Sequence, residues 1–152
     1  MNTKSEFIQK LTLKSINTDK TRVVIKESLE LAHYLYNHVY DTDTINVYES
    51  CYAVFFNSRG EIFSYCLISQ GNDFSVAMDI KMICQYAILS NCIHCAITHN
   101  HPSGVVQPGL ADKTQTKKLK QALELFEIKL FDHIIISSEK DTFYSFADHG
   151  LI

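Results

Sequence analysis

Apolar residues recur at helical spacing in three segments of the chain. The first covers residues 26–40, the second follows Ser75, which could serve as its N-cap, and the third covers about residues 111–127. Apolar positions three or four residues apart lie on one face of a helix, and that face can be buried against a sheet. The sequence therefore predicts three amphipathic helices.

Short apolar and β-branched runs between these helices predict strands. The strand-like runs are residues 51–56, 62–68, 93–98 and 130–137, with 142–146 as an edge strand. The first two are joined by residues 57–60, which read as a hairpin turn, and the third leads into a turn-rich segment, residues 99–109. The order helix, hairpin, helix, strand, helix, strand predicts an α/β protein with helices packed on the faces of a mixed sheet.

Length and composition predict one globular domain. The chain has 152 residues, of which 46% are hydrophobic and 20% charged, a balance typical of soluble domains. We expect a single domain over residues 1–152, with residues 1–25 as a peripheral lead-in. No apolar run reaches the roughly 18 residues of a membrane span, and no apolar stretch follows the first lysine as in a secretory signal. We therefore expect a cytoplasmic protein without a membrane partner.

The five cysteines fit a reducing compartment, because their number is odd and most lie in apolar stretches. Cys92 and Cys95 have the spacing of half a zinc site or of a redox pair. No second cysteine pair follows them, so packing in the core is the favoured interpretation.

The overall charge argues against a dedicated nucleic-acid binder. The net charge is −3 and the pI is about 6.1, whereas such proteins carry a basic excess. The charge therefore does not favour nucleic acid as a partner, although it does not exclude it. Lys113, Lys117 and Lys120 would share one helix face, and we interpret that stripe as a solvated surface.

The candidate chemistry lies directly after the third strand-like run. His99 and His101 are two residues apart, so in extended backbone both imidazoles project to the same side. Asp112 follows in the first turn of the third helix, and a loop containing Pro108 and Gly109 could return it to the histidines. Two imidazoles and one carboxylate would give a single Zn²⁺ three protein ligands and leave one position for water. Two unrelated surface histidines are the alternative interpretation of such a short motif.

Three polar residues near this motif have weaker signals. Ser103 lacks the Gly-x-Ser-x-Gly elbow of serine hydrolases and is more typical of a turn serine that bonds locally. Asp132 and His133 could support a metal ligand from behind, or could be purely structural. The prediction for Ser103, Asp132 and His133 is that they orient a metal ligand without binding the metal themselves.

The string His-Asn-His-Pro-Ser-Gly that begins at His99, followed by Asp112 and the Asp132-His133 pair, resembles the RadC family of bacterial JAMM (JAB/MPN) domain proteins. The JAMM pattern is an upstream glutamate, His-x-His-Pro, six residues, a serine, two residues and an aspartate. The similarity runs from about residue 29 to residue 152, and the segment beginning at Glu49 resembles the strand that opens with the JAMM glutamate.

This resemblance implies a cytidine-deaminase-like, three-layer α/β/α fold. It also implies that His99, His101 and Asp112 hold zinc, and that Glu49 is the general base for a zinc-bound water. In active JAMM enzymes that water attacks an amide or isopeptide carbonyl, so we expect a metallohydrolase acting on a peptide or protein.

The sequence departs from the family pattern in three ways. Gly109 stands where JAMM enzymes have the serine whose hydroxyl helps to stabilise the oxyanion. No glycine precedes Gly60, so the glycine-dependent helix-hairpin-helix module for DNA is not expected, and residues 78–81 replace a usual Val-His-Pro-Arg stretch. The alternative function is therefore a catalytically weak JAMM scaffold that binds protein or nucleic acid in DNA repair or processing.

Overall fold

A computed structural model describes residues 12, 14–16, 18, 21–71 and 78–152. The elements are β1 (Val23–Val24), α1 (Ser28–His38), β2 (Glu49–Phe56), β3 (Glu61–Gly71), α2 (Ile80–Ser90), β4 (His94–Asn100), α3 (Leu110–Glu124), β5 (Lys129–Ile136) and β6 (Phe143–Ser145). The strands form one sheet in the order β1-β3-β2-β4-β5-β6. β4 and β5 run parallel, and the other neighbouring pairs are antiparallel. The predicted α/β class with a mixed sheet is therefore confirmed.

Apart from β1, which was not predicted, the helices and strands lie close to the segments predicted for them. β4 continues through His99 to Asn100, so the prediction that the strand ends at residue 98 was wrong. Pairing with β2 on one side and β5 on the other extends the strand through these polar residues. The second helix begins at Ile80, where the Asp79 side chain accepts a hydrogen bond from the Met82 amide at 2.9 Å. Asp79 is thus its N-cap, and Ser75 lies outside the described residues.

Most of the predicted lead-in, residues 1–25, also lies outside the described residues. Its last part does contribute to the fold, because Val23 and Val24 pair with Ile62 and Glu61 at the edge of the sheet. Ile25, directly after this strand, is buried.

One face of the sheet packs against α1, and we call it the α1 face. Leu31 and Leu35 of the helix lie in one buried cluster with alternate residues of β2, Val54 and Phe56. Ala96 of β4 belongs to the same cluster. This alternation is what a strand buried on both sides requires, since successive side chains point to opposite faces.

The opposite face packs against α2 and α3, and we call it the α3 face. Ile83 of α2 and Leu119 of α3 share a buried cluster with the remaining residues of the central strands, such as Phe55 and Ile97. The three isoleucines at 134–136 are all buried, as expected for a parallel strand covered on both faces. Within the described ranges, none of the helices combines the length and the apolar character that a membrane span requires.

Three chain segments meet at one end of the sheet and form the site: the start of β2, the end of β4 and the start of α3. β2 and β4 are antiparallel with Cys51 opposite His99, so Glu49 at the start of β2 lies beside the end of β4. α3 begins at Leu110 and runs back from that end toward β5. Open α/β sheets commonly carry their ligand sites beyond the carboxyl ends of strands such as β4.

Candidate metal centre

Two imidazoles converge at the end of β4. His99 is the second-last residue of the strand, and His101 follows the strand directly. Their Nε2 atoms are 2.9 Å apart. The His99 side chain is 5% exposed and that of His101 20%, so the pair is anchored in the protein but can be reached from outside.

The His101 ring is oriented by the turn that follows it. Its Nδ1 lies 2.6 Å from the carbonyl oxygen of Val105. Gly104, with φ of 81°, supplies the left-handed conformation that closes this turn, and its amide donates to the His101 carbonyl at 2.9 Å. A carbonyl oxygen can only accept, so His101 Nδ1 carries the proton in that bond. In the neutral ring, Nε2 therefore presents its lone pair to the site.

The His99 ring is held from behind by a second buried histidine. Its Nδ1 lies 2.8 Å from Nε2 of His133. Burial lowers the pKa of His99 to about 4, against the opposing effect of the Asp112 charge, and lowers the pKa of His133 well below its ordinary value. Both imidazoles are thus held in the neutral form, which is the form that binds metal ions.

Two carboxylates complete the cluster. Asp112 Oδ1 lies 3.5 Å from His99 Nε2, and Glu49 Oε1 lies 3.8 Å from the same atom and 3.9 Å from His101 Nε2. Asp112 also uses its Oδ2 to accept the Gly109 amide at 2.7 Å, which fixes it in the first turn of α3. The ligand atoms of Glu49, His99 and His101 all lie within 4.8 Å of one another.

The arrangement fits a divalent cation. With zinc–nitrogen bonds of about 2.0–2.1 Å, tetrahedral geometry separates neighbouring ligand atoms by about 3.3 Å. The distances of 2.9 Å between the imidazoles and 3.5 Å from His99 to Asp112 bracket that value. Two nitrogen lone pairs and two carboxylates facing one point repel one another unless a positive charge lies between them. The donor set of nitrogen and oxygen suits zinc.

Asn100 fixes the position of the segment that carries Glu49, and this role of Asn100 was not predicted from the sequence. Its side chain points to the α1 face, where Oδ1 accepts the Ser50 amide at 2.8 Å. Its Nδ2 donates to the carbonyl oxygens of Ile45 at 2.6 Å and Tyr48 at 2.8 Å. The fully buried amide thus holds both sides of Glu49 against β4. The available signal was an asparagine between two histidines at the end of a buried strand, where alternation turns its side chain to the opposite face.

The other sequence-predicted residues lie at different distances from the centre. Gly109 is the N-cap of α3 with φ of −74° and ψ of 172°, an ordinary extended conformation. Ser103 accepts a weak hydrogen bond from the Val105 amide at 3.4 Å, within the turn behind His101. Asp132 is buried but turns away from the histidine cluster, because its carboxylate accepts from the Ser145 hydroxyl and the Ala147 amide.

The cysteines and lysines lie apart from the centre. Cys92 and Cys95 are free, buried and part of the core on the α3 face, as predicted. Lys113, Lys117 and Lys120 do share one face of α3, where they line a cavity of about 440 Å³ together with Phe146 and Leu151.

Comparison with known proteins agrees with the motif and the fold. Residues 5–151 match the family described as the RadC-like JAB domain. A UPF0758 protein of Flavobacterium johnsoniae is 30% identical over 143 residues, which cover 93% of this chain and 55% of that protein. The UPF0758 protein YfjY of Escherichia coli is 33% identical over 104 residues, covering 68% of this chain and 64% of that protein. A UPF0758 protein of Chlorobaculum parvum is 36% identical over 104 residues, covering 68% and 46%.

This chain therefore spans about half to two thirds of the length of these curated relatives. The family match covers nearly the whole sequence and includes every residue of the histidine and carboxylate cluster. The chain belongs to the RadC-like JAB domain family.

Proposed function

We propose that this chain is a zinc-dependent metallohydrolase of the JAMM type that cleaves an amide or isopeptide bond in a peptide or protein. Its scaffold would be the three-layer, cytidine-deaminase-like α/β/α arrangement of that class. The observation that carries the proposal is the convergence of His99 and His101, through nitrogens 2.9 Å apart, on the carboxylates of Glu49 and Asp112.

His99, His101 and Asp112 would hold one zinc ion per chain. Zinc, when bound, lowers the pKa of a coordinated water and polarises a substrate carbonyl. Three protein ligands are typical of catalytic sites, in which the fourth position stays open. The Asp112 and His101 side chains are 24% and 20% exposed, which leaves a path for a substrate carbonyl to reach the site.

Glu49 would be the general base. Its Oε1 is nearly equidistant from the two histidine nitrogens, at 3.8 and 3.9 Å, which is close enough to take a proton from a water beside them. Glu49 would then return that proton to the leaving amine. Asp112, rather than Glu49, is assigned as the ligand because the helix N-terminus already fixes its carboxylate through the Gly109 amide.

One observation favours the alternative, a catalytically weak scaffold that binds protein or nucleic acid. Gly109 offers no hydroxyl to a developing oxyanion, and its amide is already donated to Asp112. Position 109 therefore offers an oxyanion neither the hydroxyl that a serine would have there nor its own backbone N–H.

Metal analysis and a hydrolysis assay on matched variants test the proposal. We expect about one zinc per purified chain, lost in the His99→Ala/His101→Ala double variant. Glu49→Gln should keep the zinc and abolish hydrolysis of fluorogenic peptide and isopeptide substrates, because an amide preserves shape but not basicity. Glu124→Gln, at an exposed position elsewhere on α3, is the control and should change neither property.

The variants also separate the roles of the two carboxylates. Asp112→Asn should weaken zinc binding, whereas Glu49→Gln should not. The reverse result would make Glu49 the ligand and reject the assigned roles. Zinc that persists in the double histidine variant would exclude this site altogether.

A further inference from the structure

We infer that His133 and Thr116 are positioning residues that fix the tautomer of His99, through a directional chain of hydrogen bonds ending on the main-chain carbonyl of Asp112. The inference deepens the proposed function, because its consequence for zinc affinity rests on the proposed metal site. The tautomer itself does not depend on that proposal and can be measured separately.

Three short hydrogen bonds make up the chain. The Thr116 hydroxyl lies 2.6 Å from the Asp112 carbonyl oxygen, one turn earlier on α3, and 2.6 Å from His133 Nδ1. His133 Nε2 lies 2.8 Å from His99 Nδ1. Thr116, His133 and His99 are all buried, so water does not compete for these groups.

The carbonyl at the end of the chain sets the direction of every bond. It can only accept, so the Thr116 hydroxyl must donate its single proton to Asp112. The hydroxyl oxygen must then accept, which places a proton on His133 Nδ1. The His133 ring is fully buried and stacks on Phe146 at 4.3 Å, and among the described residues its two nitrogens contact the Thr116 hydroxyl and the His99 ring rather than a carboxylate. A ring in such a place is neutral and carries one N–H only.

The same logic continues to the metal centre. With its proton on Nδ1, His133 has a lone pair on Nε2, so that atom accepts from His99 Nδ1. His99 is thereby left with its lone pair on Nε2, the atom that faces His101 and the two carboxylates. The proton position in a histidine ligand is set by the hydrogen bond that its other nitrogen makes. In free histidine the commoner neutral tautomer has the proton on Nε2, so the chain selects the less common one.

The chain also joins the elements that carry the proposed ligands. His99 lies on β4, His133 on β5, and Thr116 on α3 one turn beyond Asp112. A change at Thr116 would therefore reach both His99 and the backbone of Asp112, although its hydroxyl touches neither metal-facing atom.

The test pairs variants that differ only in the hydrogen bond concerned. Thr116→Val removes the hydroxyl at nearly constant volume, and Thr116→Ser retains it. His133→Phe keeps an aromatic ring against Phe146 but no acceptor, whereas His133→Gln can still offer an acceptor oxygen to His99. Zinc affinity would be measured by competition with a chromophoric chelator, and the His99 tautomer by ¹⁵N NMR of the metal-free protein at mildly alkaline pH.

In the unmodified protein, NMR should place the His99 proton on Nδ1. Losing an outer support of a metal ligand typically weakens metal binding about 10- to 100-fold, and we expect that loss for Thr116→Val and His133→Phe. Thr116→Ser and His133→Gln should recover most of the affinity, which a merely structural role for these residues would not explain.

Two results would overturn the inference. One is a His99 proton found on Nε2 in the unmodified protein, a measurement that needs no variant and no zinc. The other is equal zinc affinity and an unchanged His99 tautomer in Thr116→Val and Thr116→Ser. If the unmodified protein binds no zinc while its His99 proton lies on Nδ1, the proposed function fails but the tautomer assignment stands.

Discussion

Asn100 should be one of the most sensitive positions in the chain, because one buried side chain makes three hydrogen bonds to the segment that carries Glu49. Its amide accepts from the Ser50 N–H and donates to the carbonyls of Ile45 and Tyr48. Replacing it with alanine removes all three bonds at once. It also leaves the Ser50 amide in a buried place without its partner.

The expected cost follows from counting these bonds. A neutral hydrogen bond contributes about 1 kcal/mol net, and each buried group left unpaired costs about 1–3 kcal/mol. We therefore expect Asn100→Ala to lower the free energy of unfolding by roughly 3 kcal/mol or more, a large part of the roughly 5–15 kcal/mol that stabilises an ordinary domain. Asn100→Asp keeps only the acceptor and sets a carboxylate oxygen against two carbonyls, so it should be at least as destabilising.

Urea unfolding and native-state hydrogen exchange measure these effects. The matched control is Thr98→Val on the same face of β4, whose hydroxyl makes one buried hydrogen bond to Tyr40 at 3.2 Å. That variant should cost about 1 kcal/mol or less and leave the Ser50 amide protected. The role assigned to Asn100 would be refuted if Asn100→Ala were no more destabilising than the control. It would also be refuted if the Ser50 amide stayed protected from exchange in the Asn100→Ala variant.

Three further outcomes are expected. Gly109→Ser should fold normally, since φ is −74° and a new Cβ would meet Asp112 at an ordinary 3.4 Å; restoring one oxyanion donor is worth about 10²–10³ in rate, and an unchanged kcat/KM with full zinc would show that this position does not limit hydrolysis. Cys51 and Cys95 should resist a thiol-specific disulfide reagent until urea unfolds the protein, because burial raises the pKa of both thiols; rapid labelling of the folded protein would contradict their burial. With a net charge of −3, the chain should bind duplex DNA weakly and with strong salt dependence in fluorescence anisotropy; tight binding at about 0.15 M salt, roughly the physiological ionic strength, would make the face of α3 that carries Lys113, Lys117 and Lys120 a contact surface.

The helices and strands could be predicted because their apolar patterns are regular. The end of β4 could not, since His99 and Asn100 are polar and resemble the start of a loop, yet both are buried within the strand. Tertiary pairing with β2 and β5 decides that boundary, and no local signal reports it.

In the candidate site, too, the features that depend on local sequence could be predicted, and those that depend on tertiary contacts could not. The spacing of His99 and His101 indicates a shared ligand because both residues and their geometry are local. Glu49 could be assigned only by resemblance, since its place beside the histidines depends on the register between β2 and β4. Thr116 carried no signal at all. Its importance depends on a hydrogen bond to His133, 17 residues away in the sequence.

The alternation of side chains at the end of β4 and in the residue that follows it explains how three consecutive residues can organise the whole centre. His99 points to the α3 face, where it meets Asp112 and the supporting His133. Asn100 points to the α1 face and holds the chain on both sides of Glu49. His101 returns to the first face and closes the cluster at 2.9 Å from His99. A one-residue slip of β4 would exchange these roles. The Asn100 amide would then lie among the carboxylates, and the imidazoles would face the backbone carbonyls that Asn100 now contacts. The strand register and the chemistry of the site are therefore fixed by the same hydrogen bonds.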